Sequence, residues 1–271
     1  MRVHTLGPED GDKTPTVAVV GGVHGDEPCG VRAVERFCSG NITNSVQRRV
    51  KFIIANERAL ERNVRYTEAD LNRLFPGDPE SEIYEERLAS DLYQEIKDCV
   101  TLGFHSTVSF DQPFGTLANL TAQKATIMQA LPLDHAADFS GYVTGRSVNL
   151  SGFVNVEAGY QGSEAAAENA YRCLIAYLRV MNVLPEEAEV TPTTHYQVQD
   201  AIEKTPGERY RVHANNFEQV ASGIEYATTE AGKSLIADSE FYPVLMSADG
   251  HDTLLGYAAE RTGEIDVAVT E

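Results

Sequence analysis

The stretch Val17-Ala18-Val19-Val20-Gly21-Gly22-Val23-His24-Gly25-Asp26-Glu27 decides the fold. Four apolar residues in a row, three of them β-branched and the run bounded by glycines, predict a buried strand. Gly21, Gly22 and Gly25 suit a backbone that turns sharply or passes close to something bound. His24 and Glu27 then project from the strand's carboxyl end, where open α/β sheets hold their ligands. An imidazole and a carboxylate three residues apart can reach one metal ion, and two His with one Glu, leaving a place for water, is a catalytic Zn2+ arrangement. Alone, His-x-x-Glu equally describes a polar turn that opens a helix, so the rest of the chain has to decide.

Working outward, Pro28 sits where the first turn of a helix accepts proline, and Val31, Val34 and Phe37 or Cys38 recur at helical spacing. Residues 51–55 predict a second buried strand ending at Asn56, followed by a polar, arginine-rich stretch over 57–77. Asp78-Pro79-Glu80 reads as a helix start, with Ile83, Tyr84, Leu88, Leu92 and Ile96 on one apolar face. Residues 99–104 predict a third strand ending at His105, and residues 152–156 another ending at Glu157. Ser163 caps a helix running to about Met181, with Ala167, Ala170, Tyr171, Leu174 and Leu178 inward. Strands alternating with helices predict a largely parallel, doubly wound α/β sheet. The composition shifts over 184–194, and the short alternating segments beyond it predict a small, mostly β domain. The expected division is a catalytic α/β domain over 1–188 and a β-rich domain over 189–271.

The chain of 271 residues carries a net charge of -19, with 41 acidic residues against 22 basic, only six of them lysine. Such a charge argues against nucleic acid and against an acidic membrane surface as partners. It suits a halophilic setting, where the Debye length at 1 M salt is only ~3 Å and carboxylate repulsion is screened; an ordinary acidic enzyme has the same signature. Cys29, Cys38, Cys99 and Cys173 are widely spaced, which is neither a disulfide framework nor a zinc ribbon. No stretch approaches the ~18 apolar residues of a membrane span, and the first residues lack a secretory apolar region, so a cytoplasmic location is expected.

In a parallel sheet the ends of the three strands fall on one rim. His24, Glu27 and His105 would make a metal site there, with Glu157 beside it as general base for an attacking water. Taken singly, His105 also reads as a core histidine bonded to backbone, and Glu157 as an acid preceding a helix. Arg65 and Arg73 supply guanidinium groups that suit a substrate carboxylate and the polarisation of a scissile carbonyl, with Asn56 and Asn72 adding neutral hydrogen bonds. Surface arginines paired with nearby acids are the plainer account of the same residues.

Together, Gly22 to Glu27, Arg65-Tyr66 leading to Asp70-Leu71-Asn72-Arg73-Leu74-Phe75, His105, and Val156-Glu157-Ala158-Gly159 resemble the succinylglutamate desuccinylase/aspartoacylase family of the zinc carboxypeptidase superfamily. The resemblance covers roughly residues 15 to 180, and the small β domain fits it too. It implies a carboxypeptidase-like sheet flanked by helices and one Zn2+ per chain on His24, Glu27 and His105. By the same resemblance Glu157 is the base and proton shuttle, Arg65 steadies the oxyanion, and Asn72 and Arg73 hold the substrate carboxylate. Asn56 falls at another pocket asparagine, and Arg146 at a further carboxylate-binding arginine, one residue off the family spacing. Counted from Tyr242-Pro243-Val244, His251 stands where aspartoacylase has a pocket tyrosine, a departure that counts against N-acetylaspartate. The implied reaction is hydrolysis of the amide bond of an N-acyl amino acid or similar small anionic substrate, in a homodimer. A zinc carboxypeptidase acting on short peptides, and a metal-binding or ligand-sensing protein without turnover, are the alternatives. A dinucleotide site fails on glycine spacing, and no complete Gly-x-x-x-x-Gly-Lys-Ser/Thr phosphate loop exists.

Overall fold

The computed structural model describes residues 1–8 and 16–265. In chain order the strands and helices are β1 (Arg2–Leu6), β2 (Val17–Gly21), α1 (Cys29–Ser39), β3 (Val50–Ile54), α2 (Glu57–Arg62), α3 (Tyr84–Ile96) and β4 (Val100–Thr107). There follow β5 (Phe114–Leu117), α4 (Ala122–Ala130), β6 (His135–Asp138), β7 (Phe153–Tyr160), α5 (Glu164–Val180) and β8 (Thr194–Glu203). The chain ends with β9 (Tyr210–Val212), β10 (Glu225–Thr229), β11 (Ser234–Ile236), β12 (Tyr242–Val244) and β13 (Leu254–Glu264).

β2 lies inside the sheet, parallel to β3 on one side and to β4 on the other, and all five of its residues are buried. A strand covered on both faces needs apolar residues at every position, which is why this stretch is a continuous run rather than an alternation. Val17 and Val19 pack with Phe37 of α1 and Leu174 of α5, while Ala18 and Val20 pack with Leu88 and Leu92 of α3. The period-2 side-chain direction of one strand thus feeds two cores, giving a helix–sheet–helix sandwich.

The large sheet has ten strands in the order β1-β3-β2-β4-β7-β5-β6-β8-β13-β12, and β9, β10 and β11 form a separate antiparallel sheet. The protein is a mixed α/β fold with a mostly parallel central sheet flanked by helices. Past α5 the described residues carry strands and no α-helix, and β8 joins the large sheet by pairing with β6. Among the described residues no helix is long and apolar enough to cross a membrane.

Three boundaries near the site differ from the sequence reading. The helix expected from Asp78 begins at Tyr84. The Asp78 carboxylate accepts from the Glu80 backbone and the Ser81 hydroxyl from the Ile83 backbone, so these side chains close turns and leave Ile83 extended. The strands expected to end at His105 and Glu157 run on to Thr107 and Tyr160. The two residues lie inside neighbouring parallel strands and face each other in register.

Candidate active site

Beyond β2 the chain folds a tight turn, with the Glu27 backbone donating to the carbonyl of His24 at 3.4 Å. Gly25 makes this turn possible: its backbone donates to the carbonyl of Arg65, and a Cβ there would stand 2.0 Å from the carbonyl carbon of Ala59 in α2. The turn presses His24 and Glu27 into the rim of the sheet, where His105 arrives from β4. All three are nearly inaccessible to solvent.

Their donor atoms crowd one point. Nδ1 of His24 lies 2.8 Å from Oε1 of Glu27, Nδ1 of His105 lies 2.9 Å from Oε2, and the two ring nitrogens are 3.2 Å apart. Two nitrogens bound to one tetrahedral Zn2+ at their usual lengths stand about 3.3 Å apart, so the residues present fit that ion. The three side chains are the one group of potential metal donors found among the described residues. His24 is oriented from behind: its Nε2 donates to Asp70 at 3.0 Å, which turns Nδ1 toward the cluster. Ser106 donates its backbone N–H to Glu27, and the Cys29 thiol donates to the carbonyl of His105.

The electrostatics divide the two glutamates. Burial works against the charge of Glu27, but His24 and His105 hold its carboxyl well below the usual range. Burial and the nearby charge of Glu27 push Glu157 up to about 8. Burial would lower His24, and the Glu27 and Asp70 carboxylates outweigh it, raising the imidazole to about 9. For His105 burial, joined by the charges of His24 and Arg65, outweighs Glu27 and the imidazole is lowered.

His24, Glu27, His105 and Glu157 share a cavity of about 150 Å3 with Arg65, Asn72, Arg73, Arg146 and His251. Arg65 donates to Glu27 at 3.1 Å and to Asp70 at 3.3 Å, and Nη1 of Arg73 lies 3.8 Å from the same Asp70 carboxylate. Asn72 accepts the backbone N–H of Ser147, and the Phe75 backbone donates to Gly145, which stitches the Arg73 loop to the Arg146 loop. Gly145, at φ +69, is needed there because a Cβ would meet the Arg73 carbonyl oxygen at 2.3 Å. His251 lies on an exposed loop between β12 and β13, and burial of its ring together with Arg73 and Arg65 lowers its proton affinity.

Asn56 is corrected: the structure does not bring it to the cavity. It is fully buried, its carboxamide oxygen caps α2 by accepting from Ala59, and its nitrogen donates to Glu85. The sequence reading also missed Tyr257 of β13, which lines the cavity and whose hydroxyl accepts from Arg146 at 3.1 Å. A tyrosine from the C-terminal segment therefore reaches the pocket alongside His251, Tyr257 carried by β13 and His251 by the loop before it. In an apolar strand, nothing in the sequence separates Tyr257 from a core tyrosine. Asp70 was visible within the Asp-Leu-Asn-Arg run but carried no assigned contact.

Residues 13–111 match the succinylglutamate desuccinylase/aspartoacylase catalytic domain. Over that stretch, a little more than a third of its length, the chain is similar to that family. A succinylglutamate desuccinylase of Pseudomonas fluorescens is 31% identical over 107 residues, covering 38% of this chain and 32% of the relative. An N-acyl-aromatic-L-amino acid amidohydrolase of Xenopus laevis is 38% identical over 89 residues, 29% of this chain and 28% of the relative. The matched stretches thus span about a third of the length of these curated relatives. The crystal structure of a succinylglutamate desuccinylase/aspartoacylase from Rhodobacter sphaeroides superposes with a TM-score of 0.78 at 20% identity, over 96% of this chain and 89% of that one. The desuccinylase/aspartoacylase match encloses His24, Glu27, Arg65, Asn72, Arg73 and His105; Arg146, Glu157 and His251 lie beyond it, where the likeness is one of fold.

Proposed function

We propose that the protein is a Zn2+-dependent hydrolase that cleaves the amide bond of an N-acyl amino acid or a similar small anionic substrate. The observation that carries this reading is the convergence, in one cavity, of the His24–Glu27–His105 donor set, a carboxyl group with raised proton affinity on the adjacent strand, and three guanidinium groups.

His24, Glu27 and His105 would hold the ion, which when bound supplies a Lewis acid for the acyl carbonyl and lowers the pKa of water. Glu157 takes the proton of the attacking water and passes it to the departing amine; an acid poised near neutrality suits both halves of that transfer. Arg65 donates to the oxygen on which negative charge develops. Arg73, Asn72 and Arg146 hold substrate carboxylate, Arg146 being oriented by Tyr257. His251 stands at the mouth of the pocket. Ser247, Gly250, His251 and Leu254 line the cavity from the C-terminal segment, and its small volume of about 150 Å3 favours small N-acyl amino acids over peptides.

The test is a panel of N-acyl amino acids set against short peptides, with Zn2+ content measured alongside. Turnover of the acyl amino acids and not of peptides is expected. Glu157→Gln should reduce kcat by at least about 100-fold, the usual reach of general base catalysis, while Zn2+ stays bound. Retained activity in that variant would remove Glu157 from its role.

A further inference from the structure

We propose that Glu85, in the first turn of α3 and outside the cavity, is a positioning residue that sets the placement of His24, Arg65 and Arg73 by clamping the segment leading into Asp70. The inference rests on the reading of that site as catalytic.

Glu85 is fully buried and makes no ion pair among the described residues. A carboxylate taken out of water without a cation is retained only where hydrogen bonds replace its hydration. Here the backbone and hydroxyl of Thr67 donate to one oxygen at 2.7 and 2.6 Å, and the backbones of Glu68 and Ala69 donate to the other at 3.1 and 3.2 Å. These are the three residues immediately before Asp70. The tie runs both ways, because the Glu68 carboxylate accepts the Tyr84 backbone N–H at 2.7 Å.

Asp70 passes the clamp on. One of its oxygens accepts from Nε2 of His24 and from the Asn72 backbone, both at 3.0 Å, and the other accepts from Arg65 at 3.3 Å. The fifth bond to Glu85 comes from Asn56, which caps α2. The Ala59 backbone of α2 is what Gly25 packs against, between the two donors His24 and Glu27. Glu85 therefore fastens the loop that carries the arginines and, through Asp70, His24 of the donor group. An apolar side chain would fill the same space but would leave four donors in the 67–69 segment unsatisfied.

The test compares Zn2+ affinity by chelator competition, thermal unfolding and steady-state kinetics for the wild type, E85Q, D70N and the double variant. Gln keeps the shape but turns an amide N–H2 group toward N–H donors. E85Q is expected to fold, to bind Zn2+ about 10-fold more weakly, at the low end of what residues behind metal ligands confer, and to raise KM. Because Glu85 acts through Asp70, E85Q should add little to the loss already caused by D70N. A lower Tm with unchanged Zn2+ affinity and KM, or losses that sum in the double variant, would overturn the proposal. Should E85Q not fold, T67A, which deletes only the hydroxyl bond, carries the measurement: roughly 3-fold weaker Zn2+ binding supports the clamp, and unchanged binding overturns it. A wild type that binds Zn2+ but hydrolyses no N-acyl amino acid overturns the proposed function and leaves the affinity comparison to judge Glu85. A wild type that binds no Zn2+ overturns both.

Discussion

Glu27 and Glu157 are the same side chain in opposite circumstances. Glu27 is buried and Glu157 partly so, yet two histidines face the first while the second faces the first one's charge. In the metal-free protein Glu157 is raised from its ordinary 4.5 to about 8. The folded state then holds a proton that the unfolded chain releases, so this contribution to stability is complete below pH 4.5 and is lost as pH rises through about 8. Chelator-treated wild type should therefore lose Tm relative to E157Q between pH 5 and pH 8, and parallel Tm profiles would contradict the raised value. His24, Glu27, His105 and Glu157 stood out in the sequence only as a set, because a metal site needs a few residue types brought together by separate strands. Asn56 misled because a buried cap and a pocket carboxamide look alike in sequence, and Tyr257 was hidden because its neighbours are core residues.

Among elements, the decisive fact is register. β4 and β7 are far apart in sequence, and only their parallel pairing sets His105 opposite Glu157. The strands were readable from apolar runs, the pairing only from the sheet. The β5, α4 and β6 stretch carried no usable signal: its strands have four residues each, and the buried face of α4 includes Lys124 beside Ala125 and Met128. The start of α3 was misplaced because Asp78 and Ser81 use their side chains in turns, which sequence spacing does not distinguish from caps. The turn after β2 depends on α2 lying against it. Gly25→Ala would force a Cβ into the Ala59 backbone, and overpacking of this kind costs about 1–3 kcal/mol. Both thermal stability and Zn2+ retention should fall in that variant, and an unchanged protein would show that the turn and α2 can separate freely.

For the molecule as a whole, a net charge of -19 means that folding gathers like charges. Raising salt from 0.1 to 1 M shortens the Debye length from about 10 to about 3 Å and should relieve that repulsion. Tm is expected to rise across this range, and a flat or falling Tm would show that the acidic surface does not oppose compaction. The large sheet passes without a break from β1 to β12, so the wall of the cavity built by Leu254 and Tyr257 hangs on the same framework as His105. All three donors of the metal group lie within the first 105 residues, whereas the cavity is closed by residues 245–257. A chain emerging from the ribosome therefore displays its donor set long before it can enclose a substrate. Under the proposed function, loading with an ion and the onset of turnover would be two separate events in the history of each molecule.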